Sequence, residues 1–237
     1  MNINIMQTIN TIFDNYQINV SDNYRNVLQK ITDIGLISNT QIMFDLNSLL
    51  FHNKKVLAKK LLKHSIYETI GGDLINNFSS QFAYDGLKQD LLRQAKDELK
   101  HGRMLEHLIQ FTDESVEQFR LEIQKLMESD ELPDFHGDIK LFLCFVHVAE
   151  IRTLIMLEQY VVIIEKMQDS RLLEMLPFFL RIKKDEIQHA AYTGAYINQW
   201  LENDSKIADQ LLNCFLFTNK ESMQEIASIA YDLSCNL

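Results

Sequence analysis

The feature that most constrains this chain is a five-residue pattern that occurs twice. Asp97-Glu98-Leu99-Lys100-His101 and Asp185-Glu186-Ile187-Gln188-His189 both read Asp-Glu-x-x-His, with the two Glu positions 88 residues apart. Spacing i, i+3 puts Glu and His one turn apart on one face of a helix. That face is the apolar one. In the first copy the stripe runs Leu87, Leu91, Ala95, Glu98, His101/Gly102, Leu105, Leu108; in the second it runs Phe179, Ile182, Glu186, His189/Ala190, Thr193, Ile197. A buried carboxylate costs several kcal/mol unless it is paired or bound to a metal, so any fold that buries these stripes must supply cations.

The surroundings are helical. Apolar residues recur with helical period nearly everywhere, no alternating strand run stands out, and the 237 residues include only 2 Pro and 7 Gly. The pattern predicts an all-α chain folded as one domain: a helical extension over 1–53, four long helices over 54–203 and closing helices over 204–237. The long segments are A (54–80), B (85–111), C (137–167) and D (170–203), with Asp85 and Ser170 as expected N-caps. A shorter helix at 113–128 crosses between B and C and leads into a loop at 129–138 that carries Pro133 and Gly137. Pro177 lies inside D, which predicts either a kink or a later start to that helix.

Segments A and C carry carboxylates in their stripes as well. A offers Leu57, Leu61, His64, Glu68, Gly71, Ile75; C offers Leu143, His147, Glu150, Leu154, Leu157, Val161. Reflecting Glu68 onto Glu98 places a hairpin midpoint at residue 83, and reflecting Glu150 onto Glu186 places one at 168, so two antiparallel hairpins bring four carboxylates to one level. Four Glu and two His supply a charge of about −4, which two divalent ions balance, and oxygen with imidazole donors suits iron or manganese. Glu158 competes with Glu150, because it too lies among apolar residues and would be favoured if D began at Pro177.

The sequence E…DELKH…E…DEIQH over residues 54–203 resembles the ferritin-like di-iron carboxylate superfamily, in which two helices give one Glu each and two give Glu-x-x-His. The resemblance implies a ferritin-like four-helix bundle with additional N- and C-terminal helices. It implies the ligands Glu68, Glu98, His101, Glu150, Glu186 and His189, with bridging open among Glu98, Glu150 and Glu186. Asp97 and Asp185 match acids that hold a ligand imidazole by its free N–H; His147 and His64, each one turn before a Glu on the ligand-bearing face, read from their positions either as extra ligands or neighbours of the metals or as buried, hydrogen-bonded core histidines. Tyr67, Gly71, Leu105, Thr153, Leu154 and Tyr192 are expected to line a substrate pocket. Implied with these are two Fe ions (Mn possible at one site), O2 as co-substrate, an electron donor, and a small or lipid-like organic substrate. Ile182 and Leu105 stand where arylamine oxygenases carry a third His and radical-generating subunits a Tyr, which points away from those branches.

The net charge of −10 argues against nucleic acid as a partner. The N-terminus lacks the basic and apolar regions of a secretory signal, and no apolar run is long enough to span a bilayer. Cys144, Cys214 and Cys235 form no CxxC, consistent with a reduced cytoplasmic setting. A homodimer is the expected assembly.

Overall fold

The computed structural model describes residues 5–81, 85–115, 117–128 and 134–235. Among them there is no strand. The helices are α1 (Ile5–Asn15), α2 (Asp22–Ile34), α3 (Gln41–His52), α4 (Lys54–Gln81), α5 (Asp85–Leu108), α6 (Glu117–Glu128), α7 (Ile139–Met167), α8 (Ser170–Leu201) and α9 (Lys206–Cys235), with 3-10 turns at Ile37–Asn39 and Ile109–Thr112. Part of the expected loop at 129–138, including Pro133, lies outside the described residues, as does the side chain of Asp85.

The helix boundaries follow local chemistry. Ser21 Oγ accepts from Tyr24 N at the start of α2, and Asp138 Oδ1 accepts from the amides of Lys140 and Leu141 at the start of α7. α7 ends on Gln168 in the left-handed region. The next residue, Asp169, accepts from the amides of Arg171 and Leu172. It, and not Ser170, is the N-cap of α8: its carboxylate accepts from two orphan amides at once. α8 then runs unbroken through Pro177, which lies on its exposed side.

α4 packs along α5, and α7 along α8. α5 and α8 run antiparallel, as a ladder of contacts shows: Tyr196–Asp90, Tyr192–Gln94, Lys100–Asp185 and His107–Phe178. α7 is buried on almost every side, through Phe142, Leu143, Val148, Leu154, Tyr160 and Ile164, because α3, α8 and α9 all cover it. The N-terminal helices are wired into this centre by buried polar groups. Asn47 Nδ2 donates to Gln159 Oε1 (2.8 Å), whose Nε2 donates to the carbonyl of Ser38 (2.9 Å). Ser21 N donates to Asn198 Oδ1 (2.8 Å). Each such bond contributes about 1 kcal/mol net, and leaving its buried partner unpaired costs more.

α9 is fastened by charge. Glu225 forms ion pairs with Lys60 of α4 and Arg152 of α7, and Asp232 pairs with Lys59 at 2.7 Å. No described helix is long and apolar enough to cross a membrane. The described cysteines are free thiols, Cys144 and Cys214 buried and Cys235 exposed.

Candidate metal centre

Two glycines let α4 and α5 approach closely at the level of the paired acids. A Cβ on Gly72 would meet the carbonyl of Ala95 at 2.9 Å and Glu98 Cβ at 3.2 Å; one on Gly102 would meet Thr69 Oγ1 at 2.7 Å and the carbonyl of Ser65 at 2.8 Å. This contact sets Glu68 beside Glu98. The α5–α8 ladder sets Glu98 and His101 opposite Glu186 and His189, and α7 brings Glu150. The result is two overlapping groups of four donors, Glu68, Glu98, His101, Glu186 and Glu98, Glu150, Glu186, His189, with the donor atoms of each group all within 4.8 Å of one another.

Glu98 and Glu186 are common to both groups, and their oxygens are divided between them. Glu98 Oε2 lies 3.2 Å from His101 Nδ1, while its Oε1 lies 3.4 Å from His189 Nδ1. Glu186 Oε1 lies 3.2 Å from His101 Nδ1, while its Oε2 lies 2.9 Å from His189 Nδ1. Glu150 Oε2 completes the His189 side at 3.7 Å. Of the three candidate bridging carboxylates, Glu98 and Glu186 are the two whose oxygens face both imidazoles.

The outward nitrogen of each imidazole faces the acid of the other motif. His101 Nε2 lies 3.2 Å from Asp185 of the other motif, and His189 Nε2 lies 3.6 Å from Asp97. Lys100 joins the two acids, 2.8 Å from Asp185 and 3.6 Å from Asp97. On the opposite side stands Gln94, fully buried one turn before Glu98. Its Nε2 donates to Glu98 Oε1 (2.8 Å) and Glu150 Oε1 (2.6 Å), and its Oε1 accepts from the Tyr192 hydroxyl. Sequence reasoning passed over Gln94, although its place within the stripe before Glu98 was a signal.

Charge in this cluster is shared out by burial. Burial, reinforced by Glu98 and Glu186, holds the carboxyls of Glu68 and Glu150 well above the usual range. Burial also acts against charge on Glu186, but bonds from Glu150, His101 and His189 outweigh it and keep that group ionised. For His101, burial opposes the imidazolium, yet the carboxylates of Glu186 and Glu98 push it up to about 11; His189 is raised in the same way, with Asp97 and Glu150 first among its partners. The carboxylates thus draw on their own imidazoles for cationic charge.

The remaining expected residues fall elsewhere. Glu158 pairs with Lys183 at 2.6 Å and is absent from both groups. His147 is fully buried, accepting from Tyr24 Oη at Nε2 (2.6 Å) and donating from Nδ1 to Thr193 Oγ1 (2.8 Å), which itself donates to the carbonyl of His189. Burial lowers His147 to about 3, so it is neutral. His64 lies 3.6 Å from Glu225 in the α9 ion cluster. Of the six pocket residues, Tyr192 bonds Gln94, Tyr67 sits under the Lys63 ammonium, Leu105 is core, Thr153 is half-buried and Gly71 faces open space. Leu154 lines a small apolar cavity with Ile9, Ile12, Ile151 and Ile155, beside a second one that reaches His147 between α1, α2, α7 and α9. Each has room for about one water molecule.

No family model, curated protein or solved structure matches this chain. The donor chemistry therefore carries the assignment. Four carboxylates and two imidazoles, all but Glu68 buried, lie within metal-ligating distance in two overlapping groups, a donor set that fits metal ions.

Proposed function

We propose that this chain is a non-haem di-iron oxidoreductase with a ferritin-like four-helix core, using O2 to oxidise a small or lipid-like organic substrate. One observation supports the reading above all: two four-donor groups that share Glu98 and Glu186 and split the oxygens of each between two histidines. Glu68, Glu98, His101 and Glu186 would hold one ion, and Glu98, Glu150, Glu186 and His189 the other. Iron or manganese suits this hard-oxygen and imidazole set, in which no thiol takes part.

When bound, a pair of ferrous ions supplies the redox chemistry that O2 reduction requires. The chain's own residues prepare the place for it. Asp185 receives the outward N–H of His101, and Asp97 stands 3.6 Å from the outward nitrogen of His189, so each Nδ1 is turned inward as a donor. Gln94 donates to one oxygen each of Glu98 and Glu150 and so fixes how these carboxylates turn on the His189 side. Burial by Leu87, Leu91, Leu143 and Ile182 excludes water that would compete for the donors.

The test is anaerobic Fe(II) loading followed by O2. Two irons per chain, with O2 consumed in proportion, are expected. Glu98→Ala and Glu186→Ala should each abolish uptake of the pair. Wild-type protein that retains no iron after desalting sinks the proposal. A ferroxidase or non-catalytic di-metal bundle is the second reading, favoured by the water-sized cavities; it predicts O2 consumption with no oxidised organic product, or metal uptake with no reaction at all.

A further inference from the structure

We propose that the outer face of α5 and α8, over the histidine side of the centre, is the docking surface for an acidic one-electron carrier protein. The inference rests on the di-iron reading, since hydroxylation of a C–H bond by O2 consumes two electrons and two protons beyond the substrate and releases water.

The face is defined by spacing. Arg93, Lys96, Lys100, Arg103 and His107 form one stripe of α5, and Pro177, Arg181, Lys184 and Gln188 one stripe of α8. Among the described side chains, every exposed charged residue of α5 except the terminal His107 is Lys or Arg, and from Met175 to Leu201 the exposed charged residues of α8 are Arg181 and Lys184. The antiparallel ladder aligns the stripes, with Lys100 against Asp185 at the level of His101. Lys96, Lys100, Arg103, Arg181 and Lys184 thus surround Asp97 and Asp185, both turned toward the imidazoles, with Glu106, paired to Arg120, at the edge of the patch. Among the described residues, Lys96, Arg103, Arg181 and Lys184 enter no ion pair.

A chain of net charge −10 repels an acidic protein from most directions. A local cationic patch then both attracts such a partner and fixes its orientation. The patch also lies over the shortest polar route inward, through Asp185 and Asp97 to His101 and His189. A protein that delivers substrate would need an opening; the two cavities described above lie instead among α1, α2, α7 and α9. An electron carrier needs only proximity.

The probe is a plant-type [2Fe–2S] ferredoxin, with a basic cytochrome and a short DNA duplex for comparison. Binding is measured by calorimetry at about 0.05 M and about 0.5 M salt, since screening at the higher value shortens the reach of charge to a few ångströms. Wild-type protein should bind the ferredoxin at low salt and lose it at high salt. Lys96→Glu/Arg103→Glu/Lys184→Glu should weaken that binding roughly tenfold to a hundredfold and slow ferredoxin-driven reduction of the ferric protein by the same order. Lys30→Glu/Lys55→Glu/Lys220→Glu, with the same charge change on other exposed surfaces, should stay within about twofold of wild type. The proposal is overturned if both triple variants behave alike, if the cytochrome binds as well as the ferredoxin, or if the duplex binds more tightly through the same residues. Iron content of the same samples checks the di-iron reading separately: ferredoxin bound to protein that takes up no iron refutes electron delivery as the purpose.

Discussion

Replacing Gln94 by Leu removes a buried amide without opening a cavity of consequence, so its effect reports on hydrogen bonds rather than packing. Two donations are lost, to Glu98 Oε1 at 2.8 Å and Glu150 Oε1 at 2.6 Å, and the Tyr192 hydroxyl loses its acceptor. A hydrogen bond to a charged group contributes about 1.5–3 kcal/mol, and a neutral one about 1 kcal/mol. Glu150 already sits well above the usual carboxyl range and can answer by holding its proton, so the metal-free protein should lose about 3 kcal/mol and not the full sum. The loss for metal is selective, because Glu150 belongs to the donor group of His189 and not to that of His101, and the bonded oxygen of Glu98 is the one nearer His189. Disturbing groups that orient ligands typically costs roughly tenfold to a hundredfold in metal affinity. Cobalt titration, followed by its visible absorbance, separates the two positions: Glu68→Ala leaves the His189 side complete, and Glu150→Ala leaves the His101 side. Gln94→Leu should weaken Co(II) by that factor in the first background and by less than about threefold in the second, with Tyr192→Phe acting in the same direction more weakly. Equal losses in both backgrounds, or none in either, would refute the idea that Gln94 acts on one position.

Three more outcomes are expected. Gly72→Ala should destabilise by about 1–3 kcal/mol and loosen metal binding, since its Cβ collides with the carbonyl of Ala95; Gly71→Ala next door meets nothing and should stabilise by about 0.5–1 kcal/mol, both read by urea denaturation. Glu225→Ala should cost about 3–5 kcal/mol by stranding the buried Lys60 and Arg152 charges, with Tm as the check; a change under about 1 kcal/mol contradicts the cluster's role. His147, held to about 3 by burial, takes up its proton in the unfolded chain near 6.5 but not in the folded one, so its contribution is complete above that pH and falls by about 1.4 kcal/mol per unit as acid is added, about 2 kcal/mol by pH 5. His147→Gln should flatten that slope in stability curves measured from pH 7 to pH 4.5; an unchanged slope counts against a neutral His147.

Much of the helical framework was legible because its causes are local. The apolar stripes, the scarcity of Pro and Gly, and the turn before α8 all act within a few residues of one another. The level of the four acids was legible too, since reflection across a tight hairpin needs only spacing. What escaped depends on tertiary geometry. Gln94 carries no charge and so raised no alarm in its stripe, yet its single nitrogen serves acids on two helices. Tyr24 is 123 positions from His147, its partner. Glu158 and Glu150 could be separated only once Lys183 was seen to take the former. The cap of α8 moved by one residue, because a carboxylate outcompetes a hydroxyl for two amides at once.

The crosswise facing of imidazoles and acids has a consequence for assembly. Each Asp-Glu-x-x-His segment lends its aspartate to the histidine of the other, so neither hairpin is a finished half. Either one expressed alone would lack the acid that faces the outward nitrogen of its imidazole. The two copies are therefore interlocked rather than merely similar. Mutational drift in one is answerable to the other, and assembly of the two four-donor groups is tied to the moment the hairpins close on each other.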